Sequence, residues 1–309
     1  MLSETAKGYV ASIGSMLIIG FSFLFVKILL EHTSPLIALT HRFVIAFIGI
    51  LPFAIWKRHK LQYKRKDIPI LIFMALLYPT LTFGLQIWGL SHITSTEAGI
   101  VQAVQPLITM IVAVILLHET ISIKQRLFAL LSVSGVIFIF IMQGIGQTGG
   151  IVGYLLLLFS VIFMSIYSVL VRKFKVRFSV LPLTFFCITT GALFFSLFSA
   201  GQLLLSNGSI SDFFRPFSSF QYLGAILYLA ILSSLVTLAL TNYSFAHVEA
   251  SKLGIFGNLI PVVAIFAGVV VMGDKMSWAH VIGAIVILVG VIGVNASKNT
   301  TLPKNNDTF

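Results

Sequence analysis

Apolar residues run along this chain in long blocks, separated by short stretches of charge, glycine, asparagine and serine. A helix rising 1.5 Å per residue needs about 20 such residues to cross the ~30 Å hydrocarbon core of a bilayer. Ten blocks suit that length. The first five are Gly8–Leu30, Pro35–Trp56, Ile68–Leu90, Thr96–Leu117 and Lys124–Met142. The second five are Ile151–Arg172, Val180–Leu205, Tyr222–Phe245, Ser251–Met272 and Trp278–Asn295. None alternates with a period of two, as a lipid-facing barrel strand would. The first is too long for a signal-peptide core, and no small-residue cleavage site follows it. The pattern predicts an all-α integral membrane protein with ten transmembrane helices.

Composition agrees. Of 309 residues 58% are apolar and 9% charged, with a mean hydropathy of +1.05, where a soluble domain carries about 25% charged residues. The single cysteine excludes an intramolecular disulfide and a cysteine-based metal cluster. A net charge of +11 would suit a nucleic-acid binder, but 16 of the 20 Lys and Arg residues fall on one side of the predicted spans. That bias sets topology, and it places both termini in the cytoplasm. The lipid bilayer is therefore the expected macromolecular partner, and nucleic acid is not.

The chain also compares with itself. A shift of 155 lays Leu85–Ser122 on Leu240–Ser277 without a gap, matching His92 with His247, Gly99 with Gly254, Pro106 with Pro261 and Glu119 with Asp274. A shift of 145 lays Gly8-Tyr9 on Gly153-Tyr154 and Lys27 on Arg172. Five helices per half is an odd number, so the halves are expected to enter the membrane in opposite senses around a shared midplane cavity. The expected organisation is a five-helix repeat over 1–143, a hinge over 144–150, a second repeat over 151–297 and a disordered cytoplasmic tail over 298–309.

The stretch GLSHITSTEAGIVQAVQPLITMIVAVILLHETIS resembles the signature of EamA-like members of the drug/metabolite transporter superfamily, and FAHVEASKLGIFGNLIPVVAIFAGVVVMGDKMS is similar in the second half. Small residues precede a mid-helix proline, and an acid-x-x-Ser ending follows; Arg42 matches the arginine typical of the second helix. The resemblance covers nearly the whole chain as two tandem units. It implies a carrier of small metabolites or drugs, with helices one to four and six to nine around the cavity. Glu97 and its equivalent Lys252 depart from the small neutral residues usual in the family. They mark either substrate preference or helix ends in the headgroups.

Arg42 is the sharpest candidate for substrate binding. It lies roughly 10 Å into the second helix, and an arginine at a helix centre costs at least ~2.5–3.5 kcal/mol on insertion scales. It either attracts a substrate carboxylate, pairs with Glu97 in an outer gate, or snorkels to the headgroups. His41 points about 100° away around the helix. It reads as hydrogen-bonded structure, with proton coupling the alternative. Pro106 and Pro261 free the carbonyls of Gln102 and Gly257 and bend their helices. Gln102, Gln105 and Asn258 bring amides to the same bends, either as a polar pocket or as interhelical hydrogen bonds. Tyr167, with Ser165 and Ser168, is a pocket-lining candidate in the sixth helix.

No metal or cofactor is expected: His118-Glu119 opens an HExxH pattern, but the fifth position is Ser122. Nor do the residues suit an intramembrane enzyme, which needs paired His, Ser or acid groups at depth. The expected function is an alternating-access carrier in a bacterial inner membrane, exporting a small metabolite such as an amino acid. Drug or cation efflux and metabolite import are the alternatives, and a homodimer is the one protein partner considered. With no acid at midplane, facilitated diffusion is expected, with proton antiport through Glu97 or His41 as its rival.

Overall fold

The computed structural model describes residues 3–57, 65–118, 122–143, 148–174, 180–205, 209–237, 240–241, 243–244 and 259–297. Every regular element among them is helical. In chain order they are α1 Glu4–His32, α2 Pro35–Trp56, α3 Ile68–Ala75, α4 Thr82–Leu90, α5 Ser95–Gln102, α6 Gln105–Leu117, α7 Ile123–Gln143, α8 Thr148–Lys173, α9 Val180–Leu205, α10 Ile210–Phe214, α11 Phe220–Leu227, α12 Leu259–Val271 and α13 Trp278–Ala296.

Among the described residues six spans are long and apolar enough to cross a bilayer: Glu4–His32, Pro35–Trp56, Arg65–Leu90, Ser95–Leu117, Gly150–Val171 and Leu181–Leu205. The pair Ile210–Ser218 and Phe220–Val236, bent by 92°, makes a seventh if counted as one span, and Leu259–Val271 and Trp278–Val294 are shorter apolar helices. Outward-facing side chains such as Ile48, Ile115, Leu130 and Leu197 are large, apolar and more than half exposed. Water would penalise such a surface, and lipid does not.

Local chemistry sets the helix ends. The Ser3 hydroxyl accepts the Ala6 N–H, so α1 starts four residues ahead of the expected Gly8. Ser219 caps α11 by accepting the Tyr222 N–H. Helix α8 starts at Thr148, so residues 148–150 of the stretch read as a hinge form its first turn. Residues 144–147 lie outside the described residues, as does the tail from 298.

Among the described residues, two of these six spans are broken along their length. Between α5 and α6 the chain turns at Ala103 and Val104, and Pro106 sits in the first turn of α6. A proline fits there because a first-turn N–H has no helical partner to lose. The other break is one that the hydropathy pattern does not reveal. A π-helical segment, Leu76–Leu81, joins α3 to α4, with Tyr78 at φ −139° and ψ 119° and Pro79 beside it. A second π-helical segment, Tyr228–Val236, continues α11. Under the shift of 155, residues 76–81 fall on 231–236, inside that second segment. Single-turn π segments inside helices are frequent at functional sites.

Packing then joins residues far apart in sequence. Helix α13 lies along α7, α9 along α2, α8 against α4 and α6, and α12 between α1 and α5. Hydroxyls tie the helices together: Thr40 donates to the Phe195 carbonyl at 3.0 Å, Ser160 to Thr82 at 2.8 Å and Tyr228 to Ile18 at 2.8 Å. In lipid such bonds replace the water that a polar group would otherwise need.

Candidate functional site

Helix α2 carries Arg42 into the protein interior, where the residue is only 4% exposed. The π-helical continuation of α11 presents Ser233 and Ser234 to it. Arg42 Nε donates to the Ser234 hydroxyl at 3.4 Å, and Nη2 donates to Ser233 and Ser234 at 3.5 and 3.4 Å. The Ser234 hydroxyl donates a hydrogen bond to the Leu229 carbonyl at 2.9 Å, which turns its lone pairs toward the guanidinium. From α4, the Phe83 ring lies under the guanidinium carbon at 4.2 Å, a cation–π contact. Tyr78, at the α3–α4 break, is within electrostatic reach of Arg42.

The aromatic wall continues from there. Tyr78 meets Phe83 at 5.2 Å and stacks on Tyr167 of α8 at 4.7 Å between ring centroids. The Tyr167 hydroxyl approaches Cys187 Sγ at 3.9 Å. Arg42 and Tyr167 thus fall in one cluster. Among the described residues no carboxylate forms an ion pair with Arg42, and its hydrogen bonds to neutral hydroxyls are long. A buried guanidinium held this way is only partly compensated. Its planar fork remains suited to a carboxylate or another oxyanion.

Glu97 sits elsewhere and, among the described contacts, does not pair with Arg42. Its carboxylate turns back to cap its own helix. Oε2 accepts the Thr94 N–H at 2.7 Å and the Thr94 hydroxyl at 3.0 Å, while the Thr94 hydroxyl accepts the Glu97 N–H at 3.1 Å. This reciprocal capping box fixes the rotamer. Oε1 accepts the Tyr154 hydroxyl of α8 at 2.8 Å and lies 3.5 Å from His280 Nε2 of α13. Asp274 accepts the Thr96 N–H at 3.0 Å, beside Gly268, where a Cβ would run into Thr96 and Asp274.

The profile of the EamA-like transporter family matches this chain twice, over residues 6–141 and 151–296. The chain belongs to the EamA-like transporter family. It is 38% identical over 305 residues to the uncharacterized transporter YcxC of Bacillus subtilis strain 168, covering 97% of each chain. An uncharacterized transporter of Archaeoglobus fulgidus is 23% identical, over 92% of this chain and 96% of its own. One solved crystal structure shares the fold at a TM-score of 0.63 and 18% identity, over 93% and 95% of the two chains. The protein is thus a secondary membrane transporter built from two EamA units.

Other candidate residues of this EamA-like transporter fall outside the Arg42 cluster. Gln102 and Gln105 bond to each other across the α5–α6 break through their side-chain amides. Buried His41 shares a 2.6 Å hydrogen bond with Tyr222, and Phe213 and Phe217 close around its ring. Pro261 is buried in the first turn of α12, while Asn258 and Lys252 lie outside the described residues. Ser233, Ser234, Tyr78 and Phe83 are partners that sequence reasoning did not single out. The shift of 155 holds one signal for them, since it lays Tyr78-Pro79 on Ser233-Ser234.

Proposed function

We propose that this EamA-like transporter is an alternating-access carrier of ten helices in a bacterial inner membrane, exporting a small carboxylate-bearing metabolite such as an amino acid. The observation that carries the substrate class is Arg42: a buried guanidinium whose described partners are two serine hydroxyls and an aromatic face. A substrate carboxylate supplies the charge that this site lacks, displacing the long serine contacts with a bidentate pair. The same positive charge disfavours a cationic drug, which Arg42 would repel.

Helix pairings support alternating access between two inverted units. Exchanging the halves turns the packing of α1 on α12 into that of α8 on α6, and the packing of the α11 extension on α2 into that of α3 on α9. The basic residues on one side orient both termini to the cytoplasm. The two EamA units over 6–141 and 151–296 are the repeats that rock against each other.

Export is tested by comparing solutes in the spent medium of cells that overproduce the protein with those of empty-vector cells. We expect one amino acid or a related carboxylate to accumulate outside at least about threefold more, which at 25 °C is under 1 kcal/mol of gradient. Matching media would overturn the export direction. Accumulation of a cationic solute alone would overturn the substrate class.

A further inference from the structure

The binding reading above makes no use of the cluster around Glu97, which joins the two EamA units at one carboxylate. Helix α5, in the first unit, contributes Glu97; α8 and α13, in the second, contribute Tyr154 and His280. By the proposed topology the N-termini of α5 and α13 face outward, so the cluster lies across the outer mouth.

The protonation state follows from the hydrogen bonds. Helix α13 opens with Ser277, whose backbone N–H donates to His280 Nδ1 at 3.1 Å and whose hydroxyl accepts the His280 N–H at 3.4 Å. A ring nitrogen that accepts an N–H carries no proton, so the imidazole proton is assigned to Nε2, the atom facing Glu97. His280 is then a neutral donor, and Glu97 an ionised acceptor with one oxygen committed to Thr94 and the other to Tyr154 and His280. A proton on Glu97 Oε1 would face the Nε2–H of His280, donor against donor. Tyr154 would have to turn its own hydroxyl away. Among the described residues, Lys27 of α1 interacts electrostatically with Glu97, with Asp274 on the loop before α13 and with Glu31 of α1.

We infer that Glu97, Tyr154 and His280 form a proton-operated latch: ionised Glu97 holds the outer mouth shut across the two units, and its protonation releases Tyr154 and His280. The inference rests on the alternating-access reading and its orientation. It makes outside acidity a gate, with no fixed number of protons per substrate required. Asp274 supports the closed state without sharing Glu97 Oε1, because its carboxylate holds the Thr96 N–H one residue earlier on α5.

Accessibility tests the latch without any substrate. Ile93 is buried at the turn before α5, against Gly153 of α8. In the Cys187→Ala, Ile93→Cys chain, labelling of intact cells by a membrane-impermeant maleimide reads the mouth directly. With each rate divided by that of the same chain unfolded in denaturant at the same pH, which cancels the change in thiolate fraction, the parent is expected to label at least about fivefold faster at about pH 3.5 than at about pH 7, on either side of the carboxylate range. Glu97→Gln keeps the shape and removes the charge, so it should label fast at both. Tyr154→Phe removes one donor to the ionised form, which should move the acid transition upward by about one pH unit. Should Glu97→Gln fail to accumulate, Tyr154→Phe carries the test.

Labelling in Glu97→Gln that is as slow as in the parent, or that keeps the parent's acid response, overturns the latch. An unmoved transition in Tyr154→Phe does the same. If the expected pH and Glu97 dependence appears only in inside-out vesicles, the latch stands and the proposed orientation falls. Export that fails in the medium comparison while labelling behaves as expected likewise separates the transport reading from the latch.

Discussion

Replacing Arg42 with Lys is expected to cut transport of a carboxylate-bearing solute at least tenfold, and Arg42→Met should abolish it without losing thermal stability. The two halves of this expectation come from one observation. In the resting structure Arg42 holds long hydrogen bonds to Ser233 and Ser234 and lies on Phe83, partners that compensate a buried charge incompletely. Methionine fills much of the same volume without the charge, so the melting temperature should hold or rise. Lysine keeps the charge but loses the planar fork and the flat stacking face. One charge-assisted hydrogen bond is worth about 1.5–3 kcal/mol, or roughly a tenfold to hundredfold loss in affinity. Counterflow in proteoliposomes over a panel of amino acids, together with melting in detergent, checks both halves. If Arg42→Met instead melts well below the parent, the residue is an anchor for the π-helical segment, and the substrate site lies elsewhere.

The apolar blocks, the family resemblance and the break ahead of Pro106 are legible in the sequence because each rests on local chemistry: hydropathy over about 20 residues, or a missing backbone donor. Arg42 stands out for the same reason, since a charge inside a span is costly wherever it points. Its partners do not stand out. Ser233 and Ser234 are ordinary serines in an apolar run, and only the π-helical register of that run turns both toward Arg42. Glu97 reads as a gate residue, a mark of substrate preference or a helix end in the headgroups until the structure brings Tyr154 and His280 to its second oxygen. Those contacts join residues 57 and 183 positions apart, a distance over which neither periodicity nor propensity carries information. The Tyr78–Pro79 break shows a different limit. Its proline was visible, but the flanking run is as hydrophobic as any uninterrupted span.

Substituting Val for Gly20 or Gly99 is expected to lower the melting temperature sharply and reduce the amount of protein in the membrane, while Gly224→Val changes neither appreciably. All three glycines lie in helices, where a side chain normally helps: alanine is favoured over glycine by about 1 kcal/mol in a helix interior. The sign is decided by what stands opposite. A Cβ at Gly20 would lie 2.6 Å from Val263 Cβ and 3.1 Å from the Ile260 carbonyl, and one at Gly99 would lie 2.7 Å from Ala264 Cβ. At Gly224 nothing stands within 4 Å. Val263 and Ala264 are consecutive on α12, so the two glycines let α1 and α5 approach that helix almost backbone to backbone. Dispersion between closely fitted helices, with little hydrophobic drive in lipid, is what holds such a crossing. Forcing methyl groups into it costs about 1–3 kcal/mol for each site. Gly20→Ala should therefore destabilise, against its helix propensity, and Gly224→Ala should hold steady or stabilise. Equal melting of the Gly20 and Gly224 variants would mean that α12 does not pack this closely in the membrane. The same contact bears on transport: α12 touches both helices of the first unit that flank it, so whatever rocks one unit against the other must move this seam as a whole or slide along it. Gly99→Ala, the smaller insult, is expected to slow transport by more than its loss of stability explains, because the added methyl group resists sliding even where the closed state tolerates it.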